Sequence, residues 1–192
     1  MKVFTPYLSL LEAEEEPILS AGVFLISGEK HNYFFDVGNS EKALAFLNSF
    51  SERIAIISHF HADHFGNISR TSFQEIYLGN EAYRHIHYGT RVLEPLKIED
   101  GISLLIEPLP SSHAKGSLLL NINQEITLIG DATGPNISKG SAFYNLQLLQ
   151  AMIKKLEDCN TRYFIRSHEE KLIPKDELVE TMKALYKQEK DR

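Results

Sequence analysis

The succession of strands and helices predicts a layered α/β domain, with two packed sheets covered on their outer faces by helices. Short apolar runs rich in β-branched and aromatic residues fall into two groups, and each group is followed by segments with one apolar helical stripe. No repeat, low-complexity tract or Pro/Gly-rich linker interrupts the 192 residues, so a single domain over residues 1–192 is expected. A chain of this length buries a full core. Its 43% apolar and 24% charged residues are the composition of a folded soluble protein, not a disordered one.

In chain order, residues 22–26 (GVFLI) and 32–35 (NYFF) read as strands flanking a turn at Ser27-Gly28-Glu29. Ser40 caps a helix whose buried face is Ala43, Leu44, Phe46 and Leu47. Residues 54–57 (IAII) form the β-branched run of a buried strand, which ends abruptly in the polar segment 58–64. A short strand at 74–78 precedes a short helix capped by Asn80. Residues 102–106 are apolar enough for a strand, and 118–122 and 125–129 bracket Asn123-Gln124 as a second hairpin. A helix is predicted over 142–156, with Leu146, Leu149, Ile153 and Leu156 on one stripe. Residues 163–165 form the last strand. The closing helix covers 175–187 through Leu178, Met182 and Leu185, with the Lys-rich tail beyond Leu185 expected to fray.

The net charge of −6 and the lack of a dense basic block disfavour extended nucleic-acid binding and leave a small-molecule substrate as the expected partner. No run of about 18 apolar residues is present to span a bilayer. Met1-Lys2-Val3-Phe4 leads to Pro6 and then to acids rather than to the apolar segment of a signal peptide, so a cytoplasmic location without a membrane partner is expected. Cys159 is the one cysteine, which excludes an internal disulfide; behind Glu157 and Asp158 it reads as a helix-end residue, not a nucleophile. The acidic run Glu12, Glu14, Glu15 and Glu16 reads as a solvated loop.

Chemistry concentrates in Ser58-His59-Phe60-His61-Ala62-Asp63-His64. His59 and His61 are two apart, so in extended backbone both imidazoles project to one side and can meet one ion. A bend after them turns Asp63 and His64 toward a neighbouring position. Imidazole and carboxylate are ligands that zinc accepts, with iron and manganese as alternatives. An ion needs more donors than this tract supplies. His113, Asp131 and His168 each stand just beyond a predicted strand, where a sheet-based site collects its side chains.

These segments resemble the metallo-β-lactamase-fold superfamily, over nearly the whole stretch from Gly22 to His168. Asp36 in Phe35-Asp36-Val37-Gly38 resembles its first motif, and His59-Phe60-His61-Ala62-Asp63-His64 matches its signature. His113, Asp131 and His168 stand where its later motifs fall, in the same order. The resemblance implies a four-layer αββα sandwich and two divalent ions. One would be held by His59, His61 and His113; the other by Asp63, His64 and His168; Asp131 would bridge them. Asp36 would orient the site by hydrogen bonding without binding an ion. Ser112 and Ala114 beside His113, and Ser167 and Glu169 beside His168, depart from the family's usual neighbours without removing a donor.

The implied function is a metal-dependent hydrolase of the glyoxalase II-like kind. Water on the ions loses a proton near neutral pH and attacks a carbonyl or phosphoryl centre, with Asp63 as catalytic proton acceptor. Asp131 at the bridging position points away from antibiotic hydrolysis and toward a small ester, thioester or lactone. A phosphodiesterase acting on a small substrate and a mononuclear iron sulfur dioxygenase are the competing readings. Elsewhere, His85 and His87 read as surface residues, His31 as exposed in a hairpin, and Lys115 as a solvated loop lysine. Tyr144 reads as an aromatic residue packed on the core.

Overall fold

The computed structural model describes residues 1–138, 140–169 and 171–192. Its first sheet runs in chain order through β1 (Lys2–Thr5), β2 (Leu8–Leu11), β3 (Val23–Ser27), β4 (Asn32–Phe35), β5 (Arg53–Ile57), β6 (Glu75–Leu78) and β7 (Thr90–Arg91). Between these strands come α1 (Glu41–Asn48), α2 (Ala62–Phe65) and α3 (Asn80–Ile86). The second sheet contains β8 (Leu96–Glu99), β9 (Ser103–Leu109), β10 (Ser117–Ile122) and β11 (Ile126–Leu128). A separate hairpin follows, β12 (Asn136–Ser138) with β13 (Ser141–Phe143), and then α4 (Leu146–Asp158). The chain ends with β14 (Tyr163–Ile165), β15 (Ile173–Pro174) and α5 (Lys175–Lys190), and the second sheet orders as β15-β14-β11-β10-β9-β8.

Alternation along each strand divides the core into layers. Phe24 and Ile26, Tyr33 and Phe35, and Ile54 and Ile56 face inward between the sheets, where they meet Leu104, Ile106, Leu118, Leu120, Ile122 and Leu128. The alternate residues Val23, Leu25, Phe34, Ala55 and Ile57 face outward and are covered by Ala43 and Leu47 of α1 and Ala82 and Ile86 of α3. On the far side, Leu119 and Phe164 are covered by Leu149, Met152, Leu156, Leu178 and Met182 of α4 and α5. The result is the αββα sandwich expected from the sequence. Among the described residues no helix is long and apolar enough to cross a membrane.

Strand direction decides where the chemistry falls. β4, β5 and β6 are mutually parallel, so their C-terminal ends share one edge. β9 and β11 are both antiparallel to β10, and β14 is parallel to β11, so those three also end on a common edge. The sheets meet there, where the Leu118 amide donates to Ser58 O at 2.8 Å. At the opposite end Asp100 joins them. Its carboxylate accepts from the Lys30 and His31 amides at 3.0 and 2.9 Å and from the Tyr33 hydroxyl at 3.1 Å, and its carbonyl accepts from the Glu29 amide at 2.9 Å.

Several sequence expectations need correction. The helix predicted from residue 142 begins at Leu146, because Ala142 pairs with Ile137 in a hairpin and Asn145 caps the helix through the Leu148 amide at 3.1 Å. β1 and β2 are too short to stand out in the sequence, yet Leu8 and Leu10 are buried. Glu14 is not simply solvated: it accepts from the Ser40 hydroxyl at 2.6 Å and lies 3.5 Å from Lys42 Nζ. His31 is half-buried against Asp100, with Nδ1 3.2 Å from Oδ2. The last helix continues to Lys190 rather than fraying after Leu185. Cys159 is the buried C-cap of α4, as expected of a helix-end residue.

Leu120 is fully buried between the sheets. Leu120→Ala is expected to destabilise the fold by about 2–5 kcal/mol, the usual cost of a cavity in a closely packed core, read as a lowered midpoint in urea denaturation.

Candidate metal centre

Each functional side chain leaves the end of a strand on the shared edge. Asp36 follows β4 and sits at φ 63, unusual for a residue with a Cβ. That turn buries its carboxylate completely. Oδ1 accepts the Ser58 amide at 2.8 Å, and Oδ2 accepts the Ser58 hydroxyl at 2.8 Å and lies 2.7 Å from His64 Nδ1. Asp36 therefore ties down the segment after β5. Ser58, unremarked in the sequence, is part of the same network, because its hydroxyl also lies 3.0 Å from His59 Nδ1.

His59 and His61 follow β5 and project together, their facing nitrogens 3.0 Å apart, while the ring of Phe60 between them stacks on His85 at 4.8 Å. α2 then makes the bend that separates Asp63 and His64 from that pair. His113 follows β9, and its Nδ1 lies 2.9 Å from the Pro135 carbonyl, which leaves Nε2 facing the centre. Asp131 follows β11 after Gly130, which has φ 55. A Cβ at Gly130 would lie 2.8 Å from both Cβ and Oγ of Ser58, so only glycine lets the Asp131 loop approach this closely. His168 follows β14, itself at φ 60.

These seven residues converge as two sets, His59–His61–His113 and Asp63–His64–Asp131–His168, the ligand atoms of each set lying within 4.8 Å of one another. In the first set, His61 Nδ1 lies 3.0 Å from His59 Nε2 and 3.1 Å from His113 Nε2. A tetrahedral zinc with Zn–N bonds of about 2.0–2.1 Å separates its ligands by roughly 3.3–3.4 Å, so the triangle is close to the size of one coordination shell. In the second set, Asp63 Oδ2 lies 3.3 Å from His64 Nε2 and 3.4 Å from His168 Nε2. Asp131 Oδ2 reaches both sets, at 3.2 Å from His64 Nε2, 3.5 Å from His168 Nε2 and 3.8 Å from His113 Nε2.

The electrostatics divide along the same line. Burial pushes His59 far below the usual imidazole range, and the neighbouring histidines add to it; His61 is lowered by burial and by His113. Both shifts favour the neutral form, the form that binds a metal. Burial disfavours an ionised Asp63, yet hydrogen bonds from His168 and His64 outweigh it and hold the carboxyl well below its usual range. Burial also opposes charge on His64, but Asp36 and the hydrogen bonds to Asp131, Asp36 and Asp63 raise it well above the usual value. His168 is raised chiefly by Asp63. A proton and a divalent ion therefore compete for the same imidazole nitrogens in the second set.

A groove of about 400 Å³ opens on His113, Asp131 and His168, with Thr133, Pro135 and Ile137 on its walls. A larger hollow of about 680 Å³ beside α4 and α5 offers only Gln147, Lys154, Lys183 and their neighbours, with none of the converging donors. His85 on α3 and His87 at its left-handed C-cap are exposed, Lys115 is exposed, and Tyr144 packs against the α4–α5 core, in line with the sequence reading. Arg166 was not among the sequence candidates. Its spacing of three from Glu169 was the available signal, and the two form an ion pair at 2.6 Å.

No protein-family model and no curated protein matches this sequence. Solved structures do. A metallo-β-lactamase family protein from Thermus thermophilus superposes with a TM-score of 0.70 at 16% identity, covering 97% of this chain and 81% of that one. The metallo-β-lactamase FIM-1 from Pseudomonas aeruginosa, in its mono-zinc form, gives 0.69 at 12% identity over 97% and 94%. A flavo di-iron protein variant from Thermotoga maritima gives 0.68 at 14% identity over 86% and 52%. At such identities the likeness establishes the fold.

Because ligation requires neutral imidazoles, zinc binding to the metal-free protein is expected to release protons near neutral pH, and affinity is expected to fall as pH falls. Calorimetric titrations in two buffers of different ionisation enthalpy measure the release; identical heats in both buffers would contradict it.

Proposed function

We propose that this chain, built on the metallo-β-lactamase fold, is a metal-dependent hydrolase that holds two divalent ions and cleaves a small ester, thioester or lactone. The observation that carries this reading is the position of Asp131 Oδ2, within 3.8 Å of His113 on one side and 3.5 Å of His168 on the other. A carboxylate placed between two nitrogen-rich sets suits a shared ligand. His59, His61 and His113 would hold one ion, and Asp63, His64 and His168 the other. Zinc fits this imidazole and carboxylate set, and the Pseudomonas structure in its mono-zinc form supports that choice; iron is the alternative that the di-iron relative brings.

When bound, divalent ions bring the pKa of water toward neutrality and polarise a carbonyl oxygen. The chain supplies the rest. Asp63 is ionised and faces the centre, so it can orient water and accept its proton. Asp36, the Ser58 hydroxyl and the Pro135 carbonyl each engage the far nitrogen of a histidine, which fixes the rings before substrate arrives. Pro135 and Ile137 give the groove an apolar wall for the substrate's carbon skeleton.

His113→Ala and Asp131→Ala are each expected to lower bound metal and turnover together, by about 100-fold or more in rate. Elemental analysis for metals, with a chelator-controlled panel of thioester, lactone and bis-nitrophenyl phosphate substrates, tests both. Full metal and full turnover in either variant would overturn the ligand set. Preferred cleavage of the phosphodiester would replace the substrate class, and about one iron per chain in place of two zincs would favour a sulfur dioxygenase.

A further inference from the structure

The histidines of the centre are not held alike. His64, His59 and His113 each have a partner on the nitrogen turned away from the centre, namely Asp36, Ser58 and the Pro135 carbonyl. Among the described residues, neither His61 on Nε2 nor His168 on Nδ1 has a hydrogen-bond partner. His61 is packed edge-on against the His59 and His113 rings at 4.6 and 4.7 Å, whereas His168 has the contacts of Nε2 with Asp63 and Asp131 and one looser ring contact with His64 at 5.6 Å. Its side chain is also 34% exposed, against 0% for His64 and 16% for His113. An imidazole this free needs another restraint if it is to meet an ion with a set geometry.

The restraint lies on either side of it in the chain. Arg166 Nη2 is 2.6 Å from both carboxylate oxygens of Glu169, so an ion pair spans His168 and closes over its left-handed backbone. Most exposed ion pairs contribute little, but this one is anchored. Arg166 borders a small enclosed space with Gly22 and with Leu10 and Phe24 of the first sheet, and its Nε is buried there with no hydrogen-bond partner among the described residues. Its Nη1 lies 3.5 Å from Thr133 Oγ1, on the loop that carries Asp131. Arg166 thus stands on the sandwich and holds Glu169, and the backbone of His168 runs between them.

Resting on the two-ion reading above, we propose that the Arg166–Glu169 ion pair positions His168 and thereby sets the affinity of the Asp63–His64–Asp131–His168 position for its divalent ion. Among the described residues no hydrogen bond or ion pair joins Arg166 or Glu169 to His59, His61 or His113, so that position is independent of the pair. Arg166 and Glu169 act through His168 and are positioning residues.

The test uses the full chain, stripped of metal and titrated with zinc against a chromophoric chelator. Glu169→Gln is expected to weaken one of the two zinc affinities by about 10–100-fold and leave the other unchanged. The exchange Arg166→Glu with Glu169→Arg is expected to recover part of that loss, and Arg192→Ala, which breaks a remote surface pair with Glu189, to change neither affinity. Unchanged affinities in Glu169→Gln would overturn the proposal. So would an equal fall in both, which would mark a general effect on the fold. A wild-type chain that binds two ions, with both affinities unchanged in Glu169→Gln, sinks only this inference; a wild-type chain that binds a single ion sinks the two-ion reading as well.

Discussion

The carboxylate of Asp36 is buried completely, and the edge of the sandwich is arranged around its hydrogen bonds. A buried charge is tolerated only where it is fully partnered. Asp36 meets that condition through the Ser58 amide, the Ser58 hydroxyl and His64 Nδ1. Its strained backbone, at φ 63, is the local cost of aiming the carboxylate across to β5. The arrangement fixes where the segment after β5 begins and leaves the opposite nitrogen of His64 toward Asp63 and Asp131. Gly130 completes the join, since its lack of a side chain lets the loop of the second sheet lie against Ser58.

The fold and the centre were legible in the sequence to different depths. His59, His61, Asp63 and His64 were readable because they are close in the chain, and period-two projection followed by a bend describes what the backbone does. By their own local pattern His113, Asp131 and His168 are readable as polar residues past strand ends, and the family resemblance groups them; that the ends share one edge follows from strand directions, which no local pattern contains. The helix predicted from Ala142 overlaps the last residues of β13, because Ala142 stands four residues before Leu146 on the apolar stripe and the cap at Asn145 is a single polar residue. Glu14 looked like one acid among several, and its bond to the Ser40 hydroxyl depends on a fold-back of the chain at Ser20. Arg166 and Glu169 are ordinary charges in sequence and acquire a role only from what lies around them.

Sequence identities of 12–16% to proteins that superpose over nearly the whole chain are consistent with how little of this fold needs particular residues. Between the sheets, an apolar side chain of suitable volume at every second position suffices. The candidate metal centre is different, since donors, turns and close approaches each demand a residue type. Departures beside the donors, at Ser112, Ala114 and Glu169, shape the walls and supports and leave the converging atoms in place.

Asp100 gives the two ends of the sandwich different characters. At its end the sheets are riveted by protein alone, through backbone amides and a tyrosine hydroxyl. At the other they are joined by the Leu118 amide on the Ser58 carbonyl, and beyond that bond they face each other across histidines and carboxylates. The two sheets are thus pinned at both ends by bonds within the chain, and the sandwich carries its own closure whatever the histidines and carboxylates hold.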